Sequence, residues 1–158
     1  EEWEGDVSEG AVLVAQARVH MQLGSALEAS QLAASAEDRF RTAGKKGYQN
    51  ASLQMEGAEG VRVEAVAAAA AQEKAGKEAG ELTKEAEECL ARLDLSRARD
   101  LAGKAKQALE GLEAAGGRVS VSDITKAVQV LTLAEERLRA APKPPPAAKP
   151  PPPPPGGG

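Results

Sequence analysis

His20 and Cys89 are the side chains best suited to act as a base, a nucleophile or a metal ligand. The sequence holds one histidine and one cysteine, whereas a metal site or an activated thiolate needs several such groups together. Glu85, Glu87 and Glu88 supply carboxylates, but no histidine or apolar segment surrounds them, so they are typical of a solvated helix face. The sequence therefore predicts no catalytic residue, no metal and no cofactor.

Sequence motifs give the same answer. The chain has no phosphate-binding glycine loop, no serine nucleophile motif and no zinc-binding helix motif. We therefore predict that the protein is not an enzyme and has no small-molecule substrate. His20 and Cys89 are predicted to be packed residues at helix interfaces.

Charge and hydropathy exclude two further classes of partner. The 20 basic residues are interspersed with 24 acidic ones and the chain has three aromatics, which disfavours nucleic-acid binding. The longest apolar run, residues 65–71, is far shorter than the ~20 residues that span a bilayer. The chain begins Glu-Glu-Trp without a signal-like stretch, so we expect any targeting segment to be missing, and localisation stays open.

Alanine and proline divide the chain into two regions. Alanine, the strongest helix former, occurs 33 times, and all ten prolines fall within residues 142–158. We predict an all-helical domain over 1–141 and a proline-rich, polyproline-type tail over 142–158. In that tail, Lys149, Pro152 and Pro155 match the spacing of a basic proline-rich ligand, and a stiff solvated spacer is the alternative.

Small and apolar residues recur at fixed spacings. The pattern that begins at Leu13 returns at Leu82, and a further unit at half that shift fits between them. Gly24 predicts a turn between two antiparallel helices, with Ser25 and Glu28 as a capping box. Gly57 and Gly60 predict the turn of the intermediate hairpin. Residues 48–93 also fit one long helix, and this alternative stays open.

These spacings resemble those of the tetratricopeptide repeat, whose unit of about 34 residues pairs two antiparallel helices. The first hairpin, residues 11–43, is the closest match. The resemblance implies an all-α, right-handed solenoid of about three hairpins plus a closing helix. It also implies a concave surface formed by the first helix of each hairpin. The residues that would face a partner there are Val14, Arg18, Met21, Gln22, Lys84 and Glu87.

The expected function is a non-catalytic interaction or scaffold module, a protein-binding subunit of a multi-subunit complex. One alternative is an architectural linker subunit that becomes ordered by docking on a large complex. Another is a stress-type helical protein, because residues 65–88 resemble the Ala-, Lys- and Glu-rich late-embryogenesis-abundant proteins.

Overall fold

The computed structural model describes residues 1–140 together with Pro154 and Pro155. Over these residues the chain forms five α-helices and no strand: α1 (Glu4–Gln22), α2 (Ala26–Lys45), α3 (Ala51–Ala91), α4 (Leu95–Ala114) and α5 (Val121–Ala140). The main packing is between consecutive helices, joined by short turns. The all-α prediction is confirmed as a five-helix array of the kind that helical repeats form.

The predicted middle hairpin is wrong, because Gly57 and Gly60 both lie inside the 41-residue helix α3. A glycine in a helix interior costs about 1 kcal/mol relative to alanine. That is too little to end a helix whose first part contacts α2, through Arg62 and Glu37, and whose last part contacts α4, through Glu85 and Arg97. The open alternative of one long helix is therefore the observed one. At about 1.5 Å per residue, α3 is roughly 60 Å long.

The shift that relates Leu13 to Leu82 also relates residues that share an unusual backbone conformation. The turn after α1 has Gly24 in the left-handed region at φ 79°, and the turn after α3 has Leu93 there at φ 64°. The loops after α2 and α4 repeat this relation, with Gly47 at φ 104° and Gly116 at φ 87°. Residues 4–71 therefore form one three-helix unit (unit 1) and residues 73–140 form its copy (unit 2). We call two residues related by this shift, such as Gly24 and Leu93, counterparts.

Backbone hydrogen bonds close the two copies of the first turn in the same way. The amide of Ser25 donates to the carbonyl of His20 over 2.8 Å, and the amide of Asp94 donates to that of Cys89 over 2.9 Å. Ser25 is the counterpart of Asp94, and His20 is the counterpart of Cys89. The repeating unit of the structure thus contains three helices, and α3 serves as the third helix of unit 1 and the first of unit 2.

Alanine forms most of the core. Among the residues that the structure describes, 20 apolar residues are buried, and 16 of them are alanines. On α3 they recur at multiples of seven residues, at Ala51, Ala58, Ala65, Ala79 and Ala86, with Gln72 at the intervening position. A seven-residue repeat is typical of helices that pack nearly parallel or antiparallel with a left-handed twist, and the small side chain lets the helix axes approach closely. Although the chain has few large apolar residues, all five helices therefore carry buried apolar residues.

Larger groups complete each unit. Phe40 is 1% exposed and packs against Gly10 of α1, where an added Cβ would lie 2.6 Å from its ring. Its counterpart Leu109 has the same role in unit 2. Between α2 and α3, Arg62 Nε donates to Glu37 Oε2 over 2.7 Å, and this hydrogen bond raises the pKa of the Arg62 guanidinium.

Replacing Leu93 with glycine is expected to stabilise the protein. Leu93 is held in the left-handed region, which costs an L-residue about 1–2 kcal/mol, and its side chain is 72% exposed, so little burial is lost. Because glycine is more flexible in the unfolded chain, part of that gain is offset, and we expect a net increase of ~0.5–1 kcal/mol. Urea unfolding measures it. A decrease in the midpoint would show that the Leu93 side chain makes a stabilising contact.

Candidate interaction surface

The two units meet where the α1–α2 turn touches the α4–α5 loop. A Cβ added to Gly24 would lie 1.8 Å from the carbonyl oxygen of Ala115, and one added to Gly116 would lie 1.8 Å from that of Leu23. The two backbones are therefore in direct contact, and neither position has room for a side chain. Gln72, near the middle of α3, donates from Nε2 to the Gly24 carbonyl over 2.9 Å and holds this junction to the long helix.

An open cavity of about 500 Å³ lies beside the junction. Its polar groups are largely committed to partners within the chain. Glu28 forms an ion pair with Arg118 across the two units, and Glu73 pairs with Lys77 along α3. The predicted capping box is wrong: Ser25 is the N-cap residue of α2, but its side chain makes no capping hydrogen bond, and Glu28 pairs with Arg118.

The residues predicted to face a partner from α1 have two different environments. Val14 packs against the core cluster of Ala36, Phe40 and Ala58, so it supports unit 1 instead of lining an open surface. Arg18 and Gln22 are exposed, while Met21 is half-buried. Arg18 and Gln22 are therefore the members of this set that are available for contact.

The predicted partner-facing residues of α3 lie in the other unit. Lys84 and Glu87 are exposed and line a shallow cavity of about 370 Å³ between α3, α4 and α5. Arg18 lies on α1 in unit 1, and Lys84 lies on the part of α3 that belongs to unit 2. Of the tail residues, Lys149 and Pro152 fall outside the described residues, and Pro155 is exposed.

His20 and Cys89 are counterparts in the two units. Cys89 is fully buried, which confirms the prediction of a packed thiol. His20 is half-buried, and its Nδ1 atom is enclosed without a hydrogen-bond partner. Across the described part of the chain, no three His, Cys, Asp or Glu side chains come together as a metal site. In that same part, no helix has the length and hydropathy needed to span a membrane.

The outer face of α1 carries a row of uncharged residues, several of them large and apolar. Val12 is 55% exposed, Val19 is 52% exposed and Leu23 is 62% exposed. With a helical rotation of about 100° per residue, Val12, Val19 and the C-cap residue Leu23 fall on one side of α1, with Ala15 and Gln16 between them. We call this row the α1 stripe; it consists of Ser8, Val12, Ala15, Gln16, Val19 and Leu23.

The counterparts of the α1 stripe show that the fold does not require these residue types. They lie on α3 and form what we call the α3 stripe, which consists of Lys77, Glu81, Lys84, Glu85, Glu88 and Arg92. All six are charged, although the two helices occupy equivalent places in the two units. A charged face is therefore compatible with this helix, and the apolar α1 stripe needs an explanation other than folding.

Sequence reasoning did not single out the α1 stripe. The signal was present, because the alignment that relates Leu13 to Leu82 also places Val12 against Glu81 and Val19 against Glu88. The two copies agree at the buried positions that packing requires, whereas along this face of the first helix they differ at every position of the stripe.

No family model, curated protein or solved structure matches the chain.

Proposed function

We propose that the protein is a non-catalytic protein–protein interaction module that acts as a scaffold subunit in a larger assembly. The α1 stripe is its binding surface, and Arg18 and Gln22 lie at one edge of that surface. The observation that carries the proposal is the contrast between Val12 and Val19 on α1 and the glutamates at their counterpart positions on α3. Contiguous exposed apolar residues that the fold does not require are typical of interaction sites.

The rest of the architecture suits a scaffold. Helices that pack in chain order form an extended body, and repeat proteins use such bodies to present long surfaces. Helix α3 is 41 residues long and belongs to both units, so one continuous helix connects them. The resemblance of the first hairpin to the tetratricopeptide repeat supports a solenoid-like, right-handed arrangement as part of this proposal.

Two glutamates on the α1 stripe should remove partner binding without unfolding the protein. The Val12→Glu/Val19→Glu variant takes the residue types that unit 2 already carries at Glu81 and Glu88, so we expect its stability to change by no more than about 0.5 kcal/mol per site. Affinity capture from a cell extract, followed by quantitative mass spectrometry, should show loss of the proteins that the native chain retains.

Val66→Glu is the matched control for this experiment. Val66 is 51% exposed on α3, outside the α1 stripe, and its counterpart is Glu135, so the substitution follows the same rule. Capture by this variant should equal that of the native chain. If the Val12→Glu/Val19→Glu variant also retained every captured protein, the α1 stripe would not be the binding surface.

A further inference from the structure

We propose that the α1 stripe binds the α1 stripe of a second copy of this chain, with the two helices antiparallel. The two-fold axis of this dimer passes between Ala15 and Gln16. The inference rests on the proposed function, since it names the occupant of the same surface. Three features of the described residues support a second copy as that occupant: the symmetry of the stripe, its lack of charge and the packing rule of the fold.

The stripe is symmetric about its own centre. A two-fold axis between residues 15 and 16 places Val12 opposite Val19 of the second copy, and Ser8 opposite Leu23. Every large apolar residue of the stripe thus meets another apolar or a small side chain, and the small Ala15 at the centre lets the helices approach closely. A symmetric dimer requires this self-complementarity, because both copies use one patch.

The α1 stripe and the α3 stripe differ in charge. If the α3 stripe were paired by the same operation, Glu81 would face Glu88 of the second copy and Lys77 would face Arg92, so like charges would meet at four of its six positions. Like charges that face one another across an interface are repulsive. The α1 stripe has no charged member. At its border, Glu9 is already neutralised by Arg39, whose Nε lies 2.9 Å from Glu9 Oε2.

The outer face of α1 has the same residue spacing that the helices of each unit use to pack on one another. Inside each unit, antiparallel helices pack through small residues on a seven-residue spacing, as Gly10 and Ala17 do on the inner face of α1. On the outer face, Val12 and Val19 have the same seven-residue spacing. As the first helix of the described array, α1 packs mainly against α2, and its outer face is open. A second α1 would cover it by the geometry that the fold already uses.

The size of the stripe sets the expected strength. A helix of 19 residues is about 28 Å long and roughly 10 Å across, which gives on the order of 300 Å² per copy. The two copies together would bury about 600 Å², roughly half of the ~1,200 Å² total at the lower end of standard stable interfaces. We therefore expect a weak, concentration-dependent dimer that forms in the micromolar-to-millimolar range.

Sedimentation velocity of the full chain over that concentration range tests the proposal. The native protein and the Val66→Glu control should shift from monomer to dimer as concentration rises, while Val12→Glu/Val19→Glu should stay monomeric. A native protein that is monomeric throughout overturns the proposal, and so does a dimer that the Val12→Glu/Val19→Glu variant retains, since its interface would lie on another face.

A second measurement locates the axis. Gln16→Cys places a thiol beside the proposed two-fold axis, and mild oxidation should link two copies covalently, because a disulfide forms only when the two Cα atoms come within about 7 Å. Glu85→Cys, at the counterpart position, should stay unlinked, and the native Cys89 is buried. Equal linkage of both variants would contradict the assignment of the axis.

The two experiments also separate this inference from the proposed function. If the native chain stays monomeric while Val12→Glu/Val19→Glu loses proteins that the native chain captures, the second copy is the wrong occupant and the α1 stripe remains a binding surface. If the chain dimerises through the stripe and captures nothing else, the inference stands and the wider scaffold proposal fails.

Discussion

The Phe40→Ala variant is expected to lose about 3–5 kcal/mol of unfolding free energy, the range for truncating a fully buried aromatic side chain. Phe40 is the largest side chain in a core built mainly of alanine, and it is 1% exposed. Val7, Leu13 and Met55 pack against its cluster from α1 and α3. Because its buried neighbours Ala36 and Ala58 have no side-chain length with which to fill a cavity, much of the space left by the ring should stay open.

Chemical denaturation measures this loss, and two other variants calibrate it. Leu109→Ala removes the counterpart of Phe40, a side chain that is 2% exposed, and should cost ~2–5 kcal/mol. Leu53→Ala removes a leucine that is 66% exposed and should be nearly neutral. If Phe40→Ala were as mild as Leu53→Ala, the ring would not be the centre of the unit 1 core.

Replacing Gly116 with alanine should be more damaging than the same change at its counterpart Gly47. Both glycines have positive φ, so alanine at either position costs about 1–2 kcal/mol for the left-handed conformation. At Gly47 nothing lies within 4 Å of the added Cβ, whereas at Gly116 that atom would lie 1.8 Å from the carbonyl oxygen of Leu23. The α4–α5 loop must therefore move away from the α1–α2 turn.

The consequence is a loss of coupling between the two units. When the loop moves, the ion pair of Arg118 with Glu28 is weakened as well. We expect urea unfolding of Gly116→Ala to show a larger loss of stability than Gly47→Ala and a broader transition, because the two units no longer unfold as one. Equal effects of the two substitutions would mean that the close contact at Gly24 and Gly116 does not contribute to stability.

The sequence predicted the parts of the fold that depend on local signals. Gly24 ends α1 because a left-handed residue is needed there, and the shift from Leu13 to Leu82 located the second such turn at Leu93 although a leucine occupies it. The turn at Gly24 is encoded by neighbouring residues and the turn at Leu93 by its equivalent place in the second copy, so a single sequence carries both.

The same alanine pattern produced the wrong middle hairpin. A residue type that makes up a fifth of the chain matches itself at many shifts, so the apparent intermediate unit held no structural information. Gly57 and Gly60 were interpreted as turn residues, yet the packing of α3 on α2 outweighs their low helix propensity. The contact between Gly24 and Gly116 depends on the length and straightness of α3 and was out of reach of local patterns.

The candidate surface was only partly predictable. Arg18 and Gln22 are exposed, while Val14, assigned to the same face, lies against the core. The repeat interpretation aligned positions by what the units share, and the α1 stripe is defined by what they do not share. Val12 differs from Glu81, and Val19 differs from Glu88, and these differences identify residue types that the fold does not require.

Site-specific photo-crosslinking tests this central claim most directly. A photoreactive phenylalanine analogue is placed in turn at positions 12 and 19 of the full chain, and at positions 81 and 88 as matched controls. The account predicts covalent adducts from positions 12 and 19, either with a second copy or with another protein, and none from the controls. Absence of adducts from positions 12 and 19, or equal adducts from all four positions, would contradict it.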